Sequence, residues 1–513
     1  FFNASAIFML RQFYMGLPDD LMEAAKIDGA THPQIFARIM LPLTKSALVS
    51  LAMLSFISCW NEYMTPLIFL AKKNLYTISQ VIRWYMLDDL QRYDLNMAAA
   101  TSAIIPVLIL FAAVAGFTPS VVRACIMSAL MLLSMTSCSS ADDDFKLGVI
   151  LLHDEASTYD LNFINGVKEA QKALGLRDDQ VIIKRNIPES NECYEAALDL
   201  VDEGCNIIFA NSFGHETYIL AAAKECPDVQ FCHATGTMAH TENLANFHNA
   251  FASIYEGRYL AGVAAGLKLN EMIEKGDIKA EEAKMGYVGA FTYAEVISGY
   301  TSFYLGAKSV CPTVTMDVQF TGSWYDATEE KNAAEALIAR DCKLISQHAD
   351  SMGAPGTCEA KGIPNVSYNG STYESCYETF IISSAINWAP YYNYIIGQYV
   401  KGEEIAADWC GGIAEGSVVL TGINQDVAAE GTFEKIQALV EDIKAGKLNV
   451  FDAAAFTVGG NALESYKADV DTDAAYTPDT EVVADGYFHE SEFRSAPYFD
   501  LRIDGINLLN EKF

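Results

Sequence analysis

The sequence predicts an α/β fold of two lobes for most of the chain, preceded by an all-α transmembrane fragment. The net charge is −32 over 513 residues, yet residues 1–121 hold eight basic and eight acidic side chains. The excess of acidic residues therefore lies after residue 121. The front contains long apolar runs. From Phe145 onward, short apolar runs alternate with helical patterns, which is typical of βαβ units. We therefore divide the chain into 1–117, a junction at 118–137, and a module at 138–513, which is too large for one sheet.

The front fragment has stretches that suit a membrane. Met97–Phe117 is uncharged over 21 residues, which is enough for a helix to cross the ~30 Å hydrocarbon layer. Ser46–Ala71 is also apolar, interrupted by the polar pair Asn61–Glu62 and by Pro66. A buried soluble helix is the alternative interpretation of this second stretch. Residues 1–15 look like the end of an earlier span.

A loop between these stretches carries an ordered motif. It reads Glu23, Ala24 and Ala25, then Gly29 after three residues, and later Leu41–Pro42. This pattern resembles the EAA loop of ABC importer permeases, which implies a short cytoplasmic coupling helix that docks on an ATPase subunit.

The following Trp-Asn-Glu-Tyr sequence at 60–63 is similar to the sugar-type branch of those permeases. The resemblance covers residues 1–113. The early spanning helices of the family are missing from this stretch, so we do not expect the fragment alone to form a working pore.

The junction resembles a lipoprotein-type secretory signal. Arg123 precedes an apolar run at 124–133, and small residues lead to Cys138. The pattern departs from the commonest form at Met135, where leucine is usual. The expectation is acylation of Cys138, with the module anchored outside the plasma membrane of a bacterium; a third membrane helix is the alternative.

The acidic module lacks the signals of several function classes. Its negative charge disfavours nucleic acid, because phosphate-backbone binding needs a concentrated positive field. It contains no GxxxxGK[ST] loop, GxSxG elbow or HExxH motif, so we expect neither an enzyme nor a cofactor. His215, His233 and His348 follow strands, and a metal site built from them is a minor alternative to simple hydrogen bonding.

Aromatic residues next to polar ones recur where the predicted strands end. Ligands in parallel α/β sheets bind beyond the carboxyl ends of strands, and rings with nearby polar groups suit a flat, hydroxylated ligand. The candidate ligand-binding residues are Tyr159, Asp160, Ser212, Phe213, Thr235, Phe291, Trp324, Asp350, Tyr368, Asn369 and Trp388.

Several of these segments together resemble the basic membrane protein family, the nucleoside-binding lipoproteins that serve as solute receptors of ABC importers. The matching segments are 157–160 before Gly166, Phe251 with Glu256, 259–262, 296–306, 321–326 and Glu415–Gly416. The resemblance implies a type I periplasmic-binding-protein fold, with two α/β lobes hinged about a cleft. It also implies a nucleoside ligand stacked by Tyr159 and Trp324, with permease and ATPase partners.

Two departures from the family pattern affect the ligand. Glu155–Ala156 replaces the usual acidic pair, and residues 383–388 lack the lysine that many relatives carry. Another flat ligand, such as a free base or a flavin-like ring, is therefore an alternative. A sugar receptor and a sugar-type permease subunit are the other functions considered.

The cysteines and the tail are less informative. Nine cysteines follow Cys138, and the pairs Cys226–Cys232 and Cys358–Cys376 are equally compatible with short disulfide loops or with buried thiols. The acidic, tyrosine-rich tail at 465–513 is expected to wrap the surface of one lobe.

Overall fold

The computed structural model describes residues 145–470 and 477–511. Five single residues nearer the front are also described: Thr31, Gln34, Phe56, Trp60 and Thr77. The chain divides into two units, 1–137 and 138–513, and the architecture below belongs to the second. The residues predicted for the coupling loop and for acylation lie outside the described ones. Within the described part, no helix is both long and apolar enough to cross a bilayer.

The first lobe is built on a parallel sheet whose central strands are continuous apolar runs. Such runs suit strands that are covered by helices on both faces. The first five strands are β1 (Leu147–Ile150), β2 (Val181–Lys184), β3 (Ile207–Ala210), β4 (Gln230–Ala234) and β5 (Phe247–Ala252). The connecting helices are α1 (Thr158–Leu174), α2 (Asn191–Asp202), α3 (Glu216–Glu225) and α4 (Ala239–Glu242). In the sheet, the strands lie in the order 2-1-3-4-5.

The second lobe repeats this plan. Its strands are β6 (Lys284–Gly289), β7 (Thr315–Phe320), β8 (Leu344–His348), β9 (Asn365–Tyr368) and β10 (Phe380–Ile386). Its helices, with the one that returns to the first lobe, are α5 (Ile254–Lys275), α6 (Ala294–Val310), α7 (Ala327–Ala339), α8 (Gly353–Lys361) and α9 (Ala389–Lys401). The strand order is 10-9-8-6-7, and all these pairs are parallel.

The chain passes between the lobes three times. After α5 and α9, the third passage joins β11 (Asp408–Gly411), which pairs with β5, to β12 (Val418–Leu420), which pairs antiparallel with β10. Helix α10 (Thr432–Lys444) follows, and β13 (Ile506–Leu508) closes the far edge of the second sheet beside β7. Two α/β lobes joined by three connections confirm the predicted architecture.

The tail does more than cover one lobe. Val482, Phe488, Phe499 and Ile503 are buried in the same core cluster as Tyr300 of the second lobe, and β13 extends the sheet of that lobe. The predicted surface wrap is therefore wrong in this respect: the tail supplies apolar side chains to the core.

The nine described cysteines are all free thiols. Burial raises the pKa of Cys232 and of Cys358 to about 12, so both remain protonated. Of the two interpretations left open by the sequence, the structure shows thiols.

Helices α5 and α6 cross at unusually short range because glycines stand at the contact. An added Cβ at Gly262 would overlap the carbonyl oxygen of Phe303, and one at Gly306 would overlap that of Tyr259. The obstructing atoms belong to backbone rather than to flexible side chains, so a methyl group can be accommodated only if the helices separate.

We predict that Gly306→Ala lowers the free energy of unfolding by about 1–3 kcal/mol, the usual cost of overpacking. Gly397→Ala in α9 is the matched control, because nothing lies within 4 Å of its Cβ position. Since glycine costs about 0.5–1 kcal/mol relative to alanine inside a helix, the control is expected to be neutral or stabilising. Thermal unfolding of both variants checks this, and equal behaviour would contradict the close crossing.

Candidate ligand-binding site

The first-lobe wall of the site is held by hydrogen bonds around the start of α1. Ser157 caps the helix by accepting from the amide of Asp160 at 3.2 Å. Asp160 Oδ1 accepts from the amide of His153 at 3.1 Å and from Asn211 Nδ2 at 2.8 Å. The Tyr159 hydroxyl donates to the Asn211 carbonyl at 2.7 Å. Helix α1 is thus fixed to the loop that follows β3.

The second-lobe wall comes from the ends of β7, β8 and β9. The Asp350 amide donates to the carbonyl of Trp324 at 3.0 Å, and Asn369 Nδ2 donates to Asp350 Oδ1 at 3.2 Å. The His348 ring lies 4.2 Å from that of Tyr368, centroid to centroid, and His348 Nε2 is 3.4 Å from Glu295 Oε1.

The two walls touch, so the lobes are closed on each other. Thr158 Oγ1 donates to the carbonyl of Asp350 at 3.3 Å, and Asn162 Nδ2 donates to the carbonyl of Asn369 at 2.8 Å. At the rim, the rings of Phe213 and Tyr293 stack across the lobes at 5.1 Å. Phe213 is 42% exposed and Tyr293 is 40% exposed.

A cavity lies between these walls, and its empty space, counted together with the part open to solvent, is about 390 Å³. Most of the predicted binding residues line it: Tyr159, Asp160, Ser212, Phe213, Thr235, Trp324, Asp350, Tyr368 and Asn369. These nine residues come from the ends of six different strands, as the strand-end argument predicts.

Two predicted residues do not reach the cavity. Phe291 packs edge-on against Trp324 at 5.0 Å and stacks on Tyr293 at 5.1 Å, so it supports the wall from behind. The prediction that Trp388 binds the ligand is wrong. Its side chain is 1% exposed and its ring stacks on Phe163 at 4.4 Å in the core of the first lobe.

Four lining residues were not among the predicted binding residues: Leu152, His153, Glu295 and His348. Glu295 stands in the first turn of α6, directly after the loop that contains Phe291. This position next to a predicted strand-end loop was the sequence signal that could have identified it as a lining residue. His348 does not gather with the other strand-end histidines. His215 Nε2 and His233 Nε2 bond to the carbonyls of Ile187 and Ser212, and the described residues contain no group of three potential metal ligands.

Two residues that line the cavity have a left-handed backbone conformation. Thr235 has a φ of +65° and Asn369 one of +59°. Asparagine tolerates this region, but a β-branched threonine there is an outlier that costs on the order of 1–3 kcal/mol and is found mainly at functional sites.

The acidic groups of the cavity have different protonation tendencies. Burial alone would raise the pKa of Asp160, but hydrogen bonds from His153, Asn211 and Ser157 outweigh it and lower the pKa. Burial raises the pKa of Asp350 well above its usual range, and the charges of Asp160, Glu330 and Glu295 add to this effect, while Asn369 opposes it. The surroundings therefore favour the ionised form of Asp160 and the protonated form of Asp350.

Two α/β lobes that close over a cavity lined by aromatic and polar side chains define a solute-binding protein. The chain belongs to the family described as ABC transporter substrate-binding protein, PnrA-like, which matches residues 149–453. Residues 1–125 match a second family, the binding-protein-dependent transport system inner membrane component. Both families are transport components.

Individual relatives agree with this division. The chain is 30% identical over 319 residues to a purine-binding protein of Brucella abortus, covering 61% of this chain and 84% of that one. It is 31% identical over 251 residues to a putative ABC transporter glucose-binding protein of Haloferax volcanii, covering 49% and 60%.

The front is 37% identical over 106 residues to an arabinooligosaccharide transport system permease protein of Halalkalibacterium halodurans. That match covers 21% of this chain and spans 38% of the permease. Among solved structures, ABC transporter solute-binding proteins of Aeropyrum pernix share the fold, with a TM-score of 0.50 and 16% identity over 60% of this chain and 93% of that one.

Proposed function

We propose that residues 138–513 form the extracytoplasmic receptor of an ABC importer and bind a nucleoside or a related flat heterocycle in the interlobe cavity. The observation that carries the proposal is the placement of Tyr159 and Trp324 on opposite lobes, both lining one closed cavity. A planar ring between them would gain its second stacking partner only when the lobes close. The Brucella relative, a purine-binding protein, supports this choice of ligand. In this role the module binds a ligand and catalyses no reaction.

A sugar receptor is the second candidate, favoured by the likeness to the Haloferax glucose-binding protein. Aromatic faces flanked by carboxylates also suit a pyranose. The two candidates differ in what lies between the rings, a planar aromatic heterocycle or a non-planar pyranose, and a direct titration separates them.

The experiment is a titration of intrinsic fluorescence on the full chain in detergent with inosine, adenosine, riboflavin and glucose. We expect a saturable change with at least one heterocycle and none with glucose, because Trp324 lines the cavity and senses a stacked ring. Trp324→Phe keeps an aromatic wall and should lose most of the signal while calorimetry still detects binding. A response to glucose alone would overturn the proposal in favour of the sugar receptor.

We further propose how the receptor is attached and coupled. Cys138 is the acylated residue that tethers the module to the plasma membrane, and Glu23, Ala24, Ala25 and Gly29 contact an ATPase subunit. The sequence of the junction and the match of residues 1–125 to a permease family support these assignments. Intact-mass analysis of membrane-extracted protein should find a chain that begins at a lipid-modified Cys138; an unprocessed 513-residue species would contradict the anchor.

A further inference from the structure

The wall of the cavity carries an unusual balance of charge. Three carboxyl groups line it, those of Asp160, Glu295 and Asp350, whereas no lysine or arginine is among the lining residues. Asp160 Oδ2 is buried, and the one side-chain contact recorded for it is His153 Nδ1 at 3.4 Å, which is an ion pair only when the imidazole is protonated. A buried carboxylate with only a histidine beside it and no lysine or arginine in the wall is costly, so it favours a ligand that brings positive charge.

A buried positive charge, Arg258, lies against Tyr368 of the wall and is already engaged in hydrogen bonds. Arg258 is fully buried and its guanidinium stands 5.2 Å from the Tyr368 ring centroid. It donates to the hydroxyls of Tyr287 and Ser346 at 3.1 and 2.8 Å and to two backbone carbonyls. Arg258 is not among the residues that line the cavity, and no ion pair joins it to Asp160 among the described residues, so it does not offset the charge of the wall.

The aromatic lining adds to the same preference. The rings of Tyr159, Phe213, Trp324 and Tyr368 border the cavity, and the negative faces of such rings attract cations most strongly where water is excluded. Burial raises the pKa of Tyr159 and of Tyr368 well above the usual value, so these phenols stay neutral and present rings rather than charges.

We propose that the cavity selects its ligand by charge: a flat heterocycle with a delocalised positive charge binds more tightly than its neutral isostere, and a phosphate ester is rejected. The inference rests on the proposed function, since it assumes that a heterocycle occupies this cavity. Asp160, Glu295 and Asp350 are the specificity-determining residues.

Proton release follows from this arrangement. Burial and acidic neighbours favour the protonated form of Asp350 in the empty cavity. A bound cation would favour the carboxylate, lower the pKa of Asp350 and so promote release of that proton. Cation affinity should therefore rise with pH, and neutral ligands should lack this dependence. The charged and titratable groups that face or back the cavity are Asp160, Glu295, Asp350, Glu330, His153, His348, Tyr159, Tyr368 and Arg258.

The test is calorimetry on the full chain in detergent with nicotinamide riboside and benzamide riboside. These two nucleosides have the same shape, and they differ in a ring atom that is a positively charged nitrogen in one and carbon in the other. We expect nicotinamide riboside to bind at least tenfold more tightly, with affinity that increases with pH. Inosine should likewise bind at least tenfold more tightly than inosine 5′-monophosphate.

A matched pair of variants ties the effect to the cavity. Asp160→Asn keeps the shape and the Oδ1 acceptor but removes the charge, so it should reduce the ratio of the two riboside affinities several-fold. Asp228→Asn is the control. Asp228 is exposed and lies before the amino-terminal end of β4, whereas the cavity lies beyond the carboxyl ends of the strands. In this variant the ratio of the two riboside affinities should match that of the unmodified protein.

The outcomes separate the two proposals. Equal affinities for the two ribosides, or no binding of either while inosine binds, would overturn charge selection and leave the heterocycle receptor standing. Failure of inosine, adenosine, riboflavin and both ribosides together would overturn the proposed function itself.

Discussion

Replacing Trp324 by alanine is expected to weaken nucleoside binding by about 10- to 100-fold, the loss typical when a base gives up one stacking partner. The indole lines the cavity and is only partly buried. Its carbonyl still accepts from the Asp350 amide in the variant, so the loop should keep its conformation. Calorimetry with inosine on the full chain measures the effect.

The thermal stability of the ligand-free Trp324→Ala protein provides the control. Phe291 and Tyr293 keep their own stack at 5.1 Å without the indole, and we expect a shift of a few degrees at most. An unchanged affinity together with a large loss of stability would show that Trp324 is a core residue and that the clamp of two rings is wrong.

Replacing Trp388 by alanine is expected to have the opposite profile. The ring packs on Phe163 at 4.4 Å and edge-on against Phe209 at 5.4 Å, and it is nearly inaccessible to solvent. Truncating a buried tryptophan costs about 3–5 kcal/mol, so the unfolding transition should shift strongly downward. Inosine affinity, measured at a temperature where the variant remains folded, should change less than threefold.

Trp388→Phe serves as the graded control, since it retains an aromatic ring against Phe163 and should recover part of the lost stability. A tenfold loss of affinity in Trp388→Ala without loss of stability would instead return Trp388 to the binding site, as the sequence first suggested.

The contrast between these two tryptophans shows where sequence reasoning succeeds and where it stops. Both follow strands, β7 and β10, and both have polar neighbours. The ring of Trp324 points into the cleft because it sits in a loop beyond β7, whereas Trp388 immediately precedes α9, which packs against α1 of the first lobe. Which way a ring points depends on the helix that follows it, and that packing is not visible in a local pattern.

The fold itself was predictable because short strand-like runs alternate with helical segments from β1 to α9. Other features required three-dimensional information. The left-handed φ of Thr235 could not be anticipated, because no glycine marks the position. Likewise, Arg258 reads as an ordinary charge at the start of a helix, yet the fold buries it completely beneath Tyr368.

The ligand that the protein carries after purification tests the central claim most directly. Full chain extracted under mild conditions would be heated, and the released small molecules would be identified by mass spectrometry beside an equal amount of Trp324→Ala. The account predicts a nucleoside or a related heterocycle from the unmodified protein and much less of it from the variant. Release of a sugar, or of equal amounts of the same heterocycle from both proteins, would contradict it.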